Sequence, residues 1–444
     1  MNIAAHTLGC KLNFAETSDI LRRLTAEGNT IVDWAACSRG AEKADLYLIN
    51  TCTVTAVAEK KCRAAIRQAH RQNPDAQIVV MGCFAQVAAK EIEAIPGVTL
   101  VLGNDRKHLL PYMLNSANLG NRLNEISQDF DGPDKNNLQD FQDLAKREGF
   151  ALQWSSGDRT RTFFKIQDGC DYFCTYCAIP FARGRSRSAS IEETLCAARR
   201  IADSGSKEVI LTGVNTGTFG QHRNESFLDL LKGLDQIEGI LRYRISSIEP
   251  NLLTDDIIDF VASSRAFLPH FHIPLQAGSD HVLQLMHRRY DTALYAAKLQ
   301  RIKAVMPDAC IAADVMAGFN GESEEEFAKV LSFIDSLPIS YLHVFTYSDR
   351  PGTAALRLGE KIPIPVRHEH TARLLELSER KHRAFIDSQL GKTRPVLWEH
   401  TDHNGTMQGW TDNYIRLCRP FAPTLANTVT DEVIRHGNIV SDTD

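Results

Sequence analysis

Apolar residues along this chain fall into short clusters separated by longer amphipathic stretches. Asn2 to Thr7 reads as an alternating strand, and apolar runs at Asp45–Asn50 and Gln77–Met81 are bounded by polar helical stretches such as Thr55–Gln72. That alternation predicts a small parallel α/β domain over residues 1–115. Residues 116–158 turn polar and irregular, with Ser116-Ala-Asn-Leu-Gly-Asn and Asp131-Gly-Pro-Asp, and read as a linker. From Thr162 the alternation resumes, with six strand candidates at 162–168, 208–213, 241–247, 269–275, 309–316 and 340–346. Between them Ile191, Leu195, Ala198 and Ile201 share one helical face, as do Phe327, Leu331, Ile334 and Leu337. Six βα units over 159–388 predict a partial barrel with its functional loops at the C-terminal ends of the strands. Residues 389–444 change character again. Arg394–His400, Met407–Leu417 and Asn427–Arg435 are strand-like runs between Gly, Asn and Pro turns, and predict a small all-β module. The fold class is therefore α/β with a β appendage.

Composition narrows the function more than the fold. Over 444 residues the formal charge is −5, so no global basic field points to nucleic acid, and any RNA contact must come from local patches. No apolar run reaches bilayer length, and the first thirty residues lack a signal-peptide pattern. A cytoplasmic protein with no membrane partner is expected. Eleven cysteines are too few for a disulfide scaffold in a chain this long, and clustered thiols in a reducing compartment point to zinc or iron–sulfur.

Two sets of cysteines are clustered. Gly169-Cys-Asp-Tyr-Phe-Cys-Thr-Tyr-Cys follows the first barrel strand and places Cys170, Cys174 and Cys177 in a C-x3-C-x2-C spacing. Structural zinc asks for four protein ligands, and no fourth Cys or His stands nearby. A [4Fe–4S] cluster held by three thiolates leaves one iron open. The second set is Cys10, Cys52 and Cys83, each just after a predicted strand although 42 and 31 residues apart. Strand C-termini of a parallel sheet line one edge, so the three can converge there. Gly9 and Gly82 remove side-chain bulk beside them. The bland alternatives are structural zinc for the first set and buried structural thiols for the second. Cys37, Cys62, Cys196, Cys310 and Cys418 match no pattern and read as ordinary thiols.

The Cys170–Cys174–Cys177 loop, with its C-x3-C-x-Tyr-C pattern, resembles the radical S-adenosylmethionine superfamily. Thr7-Leu-Gly-Cys-Lys-Leu-Asn, Asn50-Thr-Cys-Thr-Val-Thr and Gly82-Cys-Phe-Ala-Gln resemble the three cluster-binding motifs of the methylthiotransferases within it. The resemblance implies two [4Fe–4S] clusters, with the catalytic one on Cys170, Cys174 and Cys177 binding S-adenosyl-L-methionine. It also implies a sulfur-delivering auxiliary cluster on Cys10, Cys52 and Cys83. Tyr176 would lie against the adenine of the cofactor, and Gly213, Asn215, Ser247 and Gln276 would wall its site. The chain departs from the family's usual Phe-Pro-Gly-Glu-Thr at Phe319-Asn-Gly-Glu-Ser.

An RNA substrate is suggested in two places. Arg159, Arg161, Lys165, Arg183, Arg185 and Arg187 stand against Asp168 and Asp171 beside the proposed active site, and Arg183, Arg185 and Arg187 are expected phosphate contacts. Gly409-Trp-Thr-Asp-Asn-Tyr-Ile resembles the TRAM domain, a small RNA-binding barrel, in which Tyr414, Trp410 and His403 are candidate base stackers. Among the branches, Gly9-Cys-Lys-Leu-Asn, Arg183-Gly-Arg-Ser-Arg-Ser and Ile245-Ser-Ser-Ile-Glu-Pro agree with the one that modifies threonylcarbamoyladenosine in tRNA. The implied reaction is methylthiolation of C2 of that base next to the anticodon, with S-adenosylmethionine used for both methyl transfer and radical generation. The implied partners are the tRNA anticodon arm and a reducing protein such as flavodoxin or ferredoxin. The ribosomal-protein and isopentenyladenosine branches, and a zinc-containing RNA-binding protein, remain as alternatives.

Overall fold

The computed structural model describes residues 1–114, 150–157 and 159–440. Residues 116–149 of the expected linker lie outside them. Two compact units emerge, and they do not follow chain order. The first takes residues 1–156, 163–187 and 348–356, and the second takes 157–162, 188–347 and 357–444.

In the first unit β1 (Asn2–Thr7), β2 (Thr30–Val32), β3 (Leu46–Thr51), β4 (Gln77–Gly82) and β5 (Val98–Leu102) form a wholly parallel sheet in the order β2-β1-β3-β4-β5. The central strands are apolar without alternation because both faces are covered. Ile3, Leu46, Leu48, Val79 and Met81 pack with Ile20 and Leu24 of the helix Lys11–Ala26. Tyr47, Ile49, Ile78 and Val80 pack with Cys62, Ala65, Ile66 and Ala69 of the helix Ala56–Gln72. Each of the buried Val, Leu, Ile and Met side chains among them contributes about 1.5–3 kcal/mol. Thr55 starts the second helix by accepting from the Ala58 N–H. β6 (Gln153–Trp154) pairs antiparallel with the end of β7 (Arg161–Lys165), and β8 (Gln167–Asp168) then leads into the cysteine loop.

Past β9 (Arg187–Ser188), the second unit carries the remaining barrel strands where the pattern places them. β10 (Glu208–Thr212) and β11 (Arg242–Ile245) pair in parallel. So do β12 (His270–His272), β13 (Cys310–Ala317) and β14 (Tyr341–Thr346). Helices between them begin at hydroxyl or carboxylate caps: Ser190 with a full capping box to Glu193, then Thr254, Ser279, Asp291 and Ser323. The Phe319-Asn-Gly-Glu loop contains no proline and is fixed by side-chain contacts. The Glu322 carboxylate accepts from the Gly318 N–H at 2.6 Å and lies 3.1 Å from His370.

The tail folds as a curled antiparallel sheet of β15 (Thr393–Trp398), β16 (Thr406–Thr411), β17 (Arg416–Pro420) and β18 (Val429–Val433), in the order β17-β16-β15-β18. Val396, Trp398, Met407, Leu417 and Ile434 form its core together with Phe385 and Cys310. Buried Glu208 anchors it: Arg244 donates to Glu208 at 2.7 Å and to the Thr411 carbonyl at 2.7 Å.

Candidate functional site

The parallel register sets Thr7 beside Asn50, Asn50 beside Met81, and Thr51 beside Gly82. Cys10, Cys52 and Cys83 therefore leave three neighbouring strands at one level of the sheet edge. Tight backbone makes room for them. Gly82 has φ +101°, and a Cβ there would fall 2.3 Å from Asn50 Oδ1 and 2.7 Å from the Thr51 carbonyl. Gly9 has φ +106°, and its Cβ would meet Cys52 Sγ at 3.1 Å. Only glycine fits either position. Asn13 ties two of the loops together by donating to the Leu8 carbonyl at 2.8 Å and the Thr51 carbonyl at 3.0 Å. Thr51 Oγ1 donates to the Met81 carbonyl at 2.6 Å, and Asn104 donates to Cys83 Sγ at 3.5 Å. Cys10 sits at the N-cap of Lys11–Ala26, and Cys83 opens the helix Cys83–Val87. Cys62 is part of this neighbourhood as well, since its sulfur accepts from the Cys52 N–H at 3.4 Å.

A buried ion cluster lies behind the triad. Lys107 and Lys165 both reach Glu16, Lys165 at 2.8 Å. Arg183 spans Glu16 at 3.2 Å and Asp168 at 2.9 Å, and donates to Asn13 Oδ1 at 2.6 Å. Lys165 and Arg187 also reach Asp168, at 2.9 Å and 3.3 Å. Burial alone would raise both carboxyls, but Arg183, Lys107 and Lys165 hold Glu16 well below its ordinary range, and Lys165, Arg183 and Arg187 do the same for Asp168. Burial works against the Arg183 charge, yet Cys83, Glu16, Asp168 and Cys10 raise its pKa well above the usual value. Four cations against two carboxylates leave a positive surplus facing the sulfurs. That surplus favours an anionic group at the sheet edge.

The sulfurs suit a metal. Burial first, then Cys83 and Cys10, pushes the Cys52 thiol up to about 12. A thiolate there needs a cation bound directly to it, and soft thiolates at a sheet edge match iron–sulfur ligation. The donor set and the surrounding charge fit such a group.

The ion cluster engages two of the three arginines expected to contact phosphate. The Arg183 side chain is 1% exposed and wholly engaged, and Arg187 donates to Asp168 and to the Arg183 carbonyl at 2.6 Å. Both are paired inside the fold, Arg183 with Glu16 from a distant helix and with Asp168, and Arg187 with Asp168. Arg185 is the one of the three that stands at the surface, 55% exposed and 3.7 Å from Asp171.

The loop triad belongs to the same unit. Gly169 has φ +72° and would place a Cβ 2.0 Å from the Arg185 carbonyl, so the loop entry admits only glycine. The Cys170 N–H donates to the Gly184 carbonyl at 3.0 Å, and the Cys177 N–H to the Cys174 carbonyl at 3.0 Å. Cys174 is buried, while Cys170, Cys177 and Tyr176 are half-buried. The far end of the loop is held by residues the sequence reading passed over. The Ala355 N–H donates to the Thr175 carbonyl at 2.8 Å, Arg350 pairs with Glu59, and the Ala56 N–H donates to Ser348 Oγ at 3.2 Å. The only hint in the sequence was the turn chemistry of Ser348-Asp-Arg-Pro-Gly-Thr.

In the second unit, Gly213 and Asn215 follow β10, and the Thr216 Oγ1 behind them donates to the Ser247 carbonyl at 2.9 Å. Gln276 has φ +64°, a conformation uncommon outside glycine, and its N–H donates to the Asp314 carbonyl at 2.8 Å. These expected wall residues thus sit on interlocked strand-end loops. The half-buried Tyr414 ring stacks on His270 at 4.2 Å, with Trp410 at 4.5 Å and Arg244 at 5.0 Å. His403 is exposed.

A family model described as "Uncharacterized protein family UPF0004" matches residues 2–103, and the radical SAM superfamily model matches residues 164–334. Threonylcarbamoyladenosine tRNA methylthiotransferase MtaB of Bacillus subtilis (strain 168) is 38% identical over 422 residues, covering 94% of this chain and 89% of that protein. Its namesake in Aquifex aeolicus (strain VF5) is 35% identical, over 94% and 97% of the two chains. The tRNA-2-methylthio-N(6)-dimethylallyladenosine synthase of Syntrophotalea carbinolica (strain DSM 2380 / NBRC 103641 / GraBd1) is 31% identical, over 90% and 89%. Among solved structures, the radical S-adenosylmethionine methyltransferase TsrM from Kitasatospora setae shares the fold at a TM-score of 0.55 and 14% identity, covering 78% of this chain and 72% of that one. No helix among the described residues is long and apolar enough to cross a membrane.

Proposed function

Since the chain belongs to the MtaB-type tRNA methylthiotransferases of the radical S-adenosylmethionine superfamily, we propose that it methylthiolates C2 of N6-threonylcarbamoyladenosine beside the anticodon of tRNA. Cys170, Cys174 and Cys177 would hold one [4Fe–4S] cluster and S-adenosylmethionine, and Cys10, Cys52 and Cys83 a second. The chemistry these groups supply when bound is reductive cleavage of the sulfonium to a carbon radical and delivery of a methylthio group.

The observation that carries this reading is that both cysteine triads fall within one compact unit. A structural zinc protein gains nothing from two incomplete triads in one unit, whereas two-centre chemistry needs them together. The protein's own residues prepare both sites. Gly9, Gly82 and Gly169 admit close backbone. Arg183 and Lys107 present positive charge to the sheet-edge sulfurs. Tyr176 would lie on the adenine of the cofactor. Arg185 remains the expected phosphate contact for the anticodon arm, and the β module adds RNA surface elsewhere. Electrons would come from a small reducing protein, in the cytoplasm.

Mass spectrometry of tRNA nucleosides from a deletion strain tests the substrate. Loss of 2-methylthio-threonylcarbamoyladenosine, with the unthiolated base accumulating, is the expected result. Unchanged nucleosides alongside an altered ribosomal protein would assign the chain to the other substrate class.

A further inference from the structure

Three chemistry-bearing side chains that the proposed reaction leaves unused meet in the second unit. His272 ends β12, Asp314 lies within β13 and His343 within β14. In the parallel register Asp314 stands directly beside His343, and His272 beside Ala312, two residues before Asp314. Residues two apart on a strand share a face, so all three project from the same side of the sheet. Their possible ligand atoms all lie within 4.8 Å of one another. His272 Nε2 is 2.8 Å from Asp314 Oδ1, and the His272 and His343 rings are 5.1 Å apart.

The scaffold beneath them is fixed. The Ile273 N–H donates to the Ala312 carbonyl at 2.9 Å, the Gln276 N–H to the Asp314 carbonyl, and the Ile248 N–H to the His272 carbonyl at 3.1 Å. Yet the side chains are not core. His272 and Asp314 are each 18% exposed, His343 is exposed, and Phe345 on the same face is 47% exposed.

We propose that His272, Asp314 and His343 form a binding site for a borderline divalent transition metal such as zinc, iron(II) or cobalt(II), with no ligand from either cysteine triad. Two imidazole nitrogens and one carboxylate are the donor set for such ions, whereas magnesium and calcium prefer oxygen alone. Three ligands on three adjacent strands leave at least one coordination position open, and the exposure of His343 gives the ion an entry path. Ligand atoms around a tetrahedral ion with bonds of about 2.0–2.1 Å lie roughly 3.3 Å apart. The close His272–Asp314 pair needs to open a little, and the exposed His343 ring to swing inward. The site stands independently of the tRNA reading.

The test uses the full-length protein purified anaerobically with its iron and sulfide, passed over an immobilised chelator and equilibrated against zinc. About one zinc per chain is expected beyond the iron, with a zinc K-edge first shell of nitrogen and oxygen at about 2.0–2.1 Å. Retention should fall at least about tenfold in His343→Ala and in Asp314→Asn, with iron and sulfide unchanged. Asp314→Asn preserves shape and a hydrogen bond to His272, so folding is kept. Failure of the wild type to retain zinc, a sulfur shell at about 2.3 Å, or retention undiminished from wild type in either variant would overturn the proposal.

Discussion

The two cysteine triads gather three sulfurs in opposite ways. Cys10, Cys52 and Cys83 come from strand ends 42 and 31 residues apart and are aligned by the register of β1, β3 and β4. Cys170, Cys174 and Cys177 span eight residues, and their loop has to be held from outside, by Gly184 at one end and Ala355 at the other. The first arrangement is backed by a sheet and a buried ion cluster, with Cys52 and Cys83 buried and Cys10 exposed, while in the second Cys174 is buried. The second leaves Cys170 and Cys177 half-exposed.

That contrast is broken most sharply by separate cysteine variants. Cys174→Ala is expected to abolish S-adenosylmethionine cleavage while the sheet-edge iron stays. Cys52→Ala should leave cleavage measurable and stop sulfur insertion. Both are read from 5′-deoxyadenosine and methylthiolated RNA in one assay, and identical behaviour of the two would erase the distinction.

Next comes Arg183→Met, which keeps the aliphatic stem but leaves Glu16 and Asp168 short of a partner. Breaking a buried ion pair from one side costs about 3–5 kcal/mol. Thermal melts should show that loss, with iron falling at the sheet-edge site before the loop site.

Acid acts on the same residues more weakly. Glu16 and Asp168 are depressed below their ordinary values of 4.5 and 3.8, so the folded state binds their protons less readily than the unfolded chain. Their stabilisation is complete above those ordinary values and is lost as the pH falls through them toward the lower folded values. In melts of the metal-free protein, the stability gap between wild type and Glu16→Gln should narrow from about pH 7 to about pH 3. A constant gap would mean that Glu16 is not held ionised.

The smallest effect is expected at the surface. Arg185→Ala should weaken tRNA binding uniformly and reduce the slope of log affinity against log salt by about 1, with cleavage of S-adenosylmethionine unaffected.

Much of the fold was legible because its signals are local. Six barrel strands, the parallel N-terminal sheet and the β tail follow from apolar runs and caps such as Ser190 with Glu193. The cysteines were legible for the same reason, each sitting next to a strand end or within one short loop. What the sequence hid was long-range pairing. Nothing local marks Glu16, buried on an otherwise ordinary amphipathic helix, as the partner of Lys165 and Arg183. Without that partner the arginine-rich stretch looks like a surface patch. Nor does spacing reveal that Ala355 closes the Cys174–Cys177 turn, or that Tyr414 is already stacked on His270.

Mössbauer spectroscopy of protein reconstituted with iron-57, alongside its Cys52→Ala form, tests the central claim most directly. Two [4Fe–4S] signals totalling about eight irons per chain, reduced to about four in the variant, are predicted. A single cluster in the wild type, or no change on losing Cys52, would contradict the account.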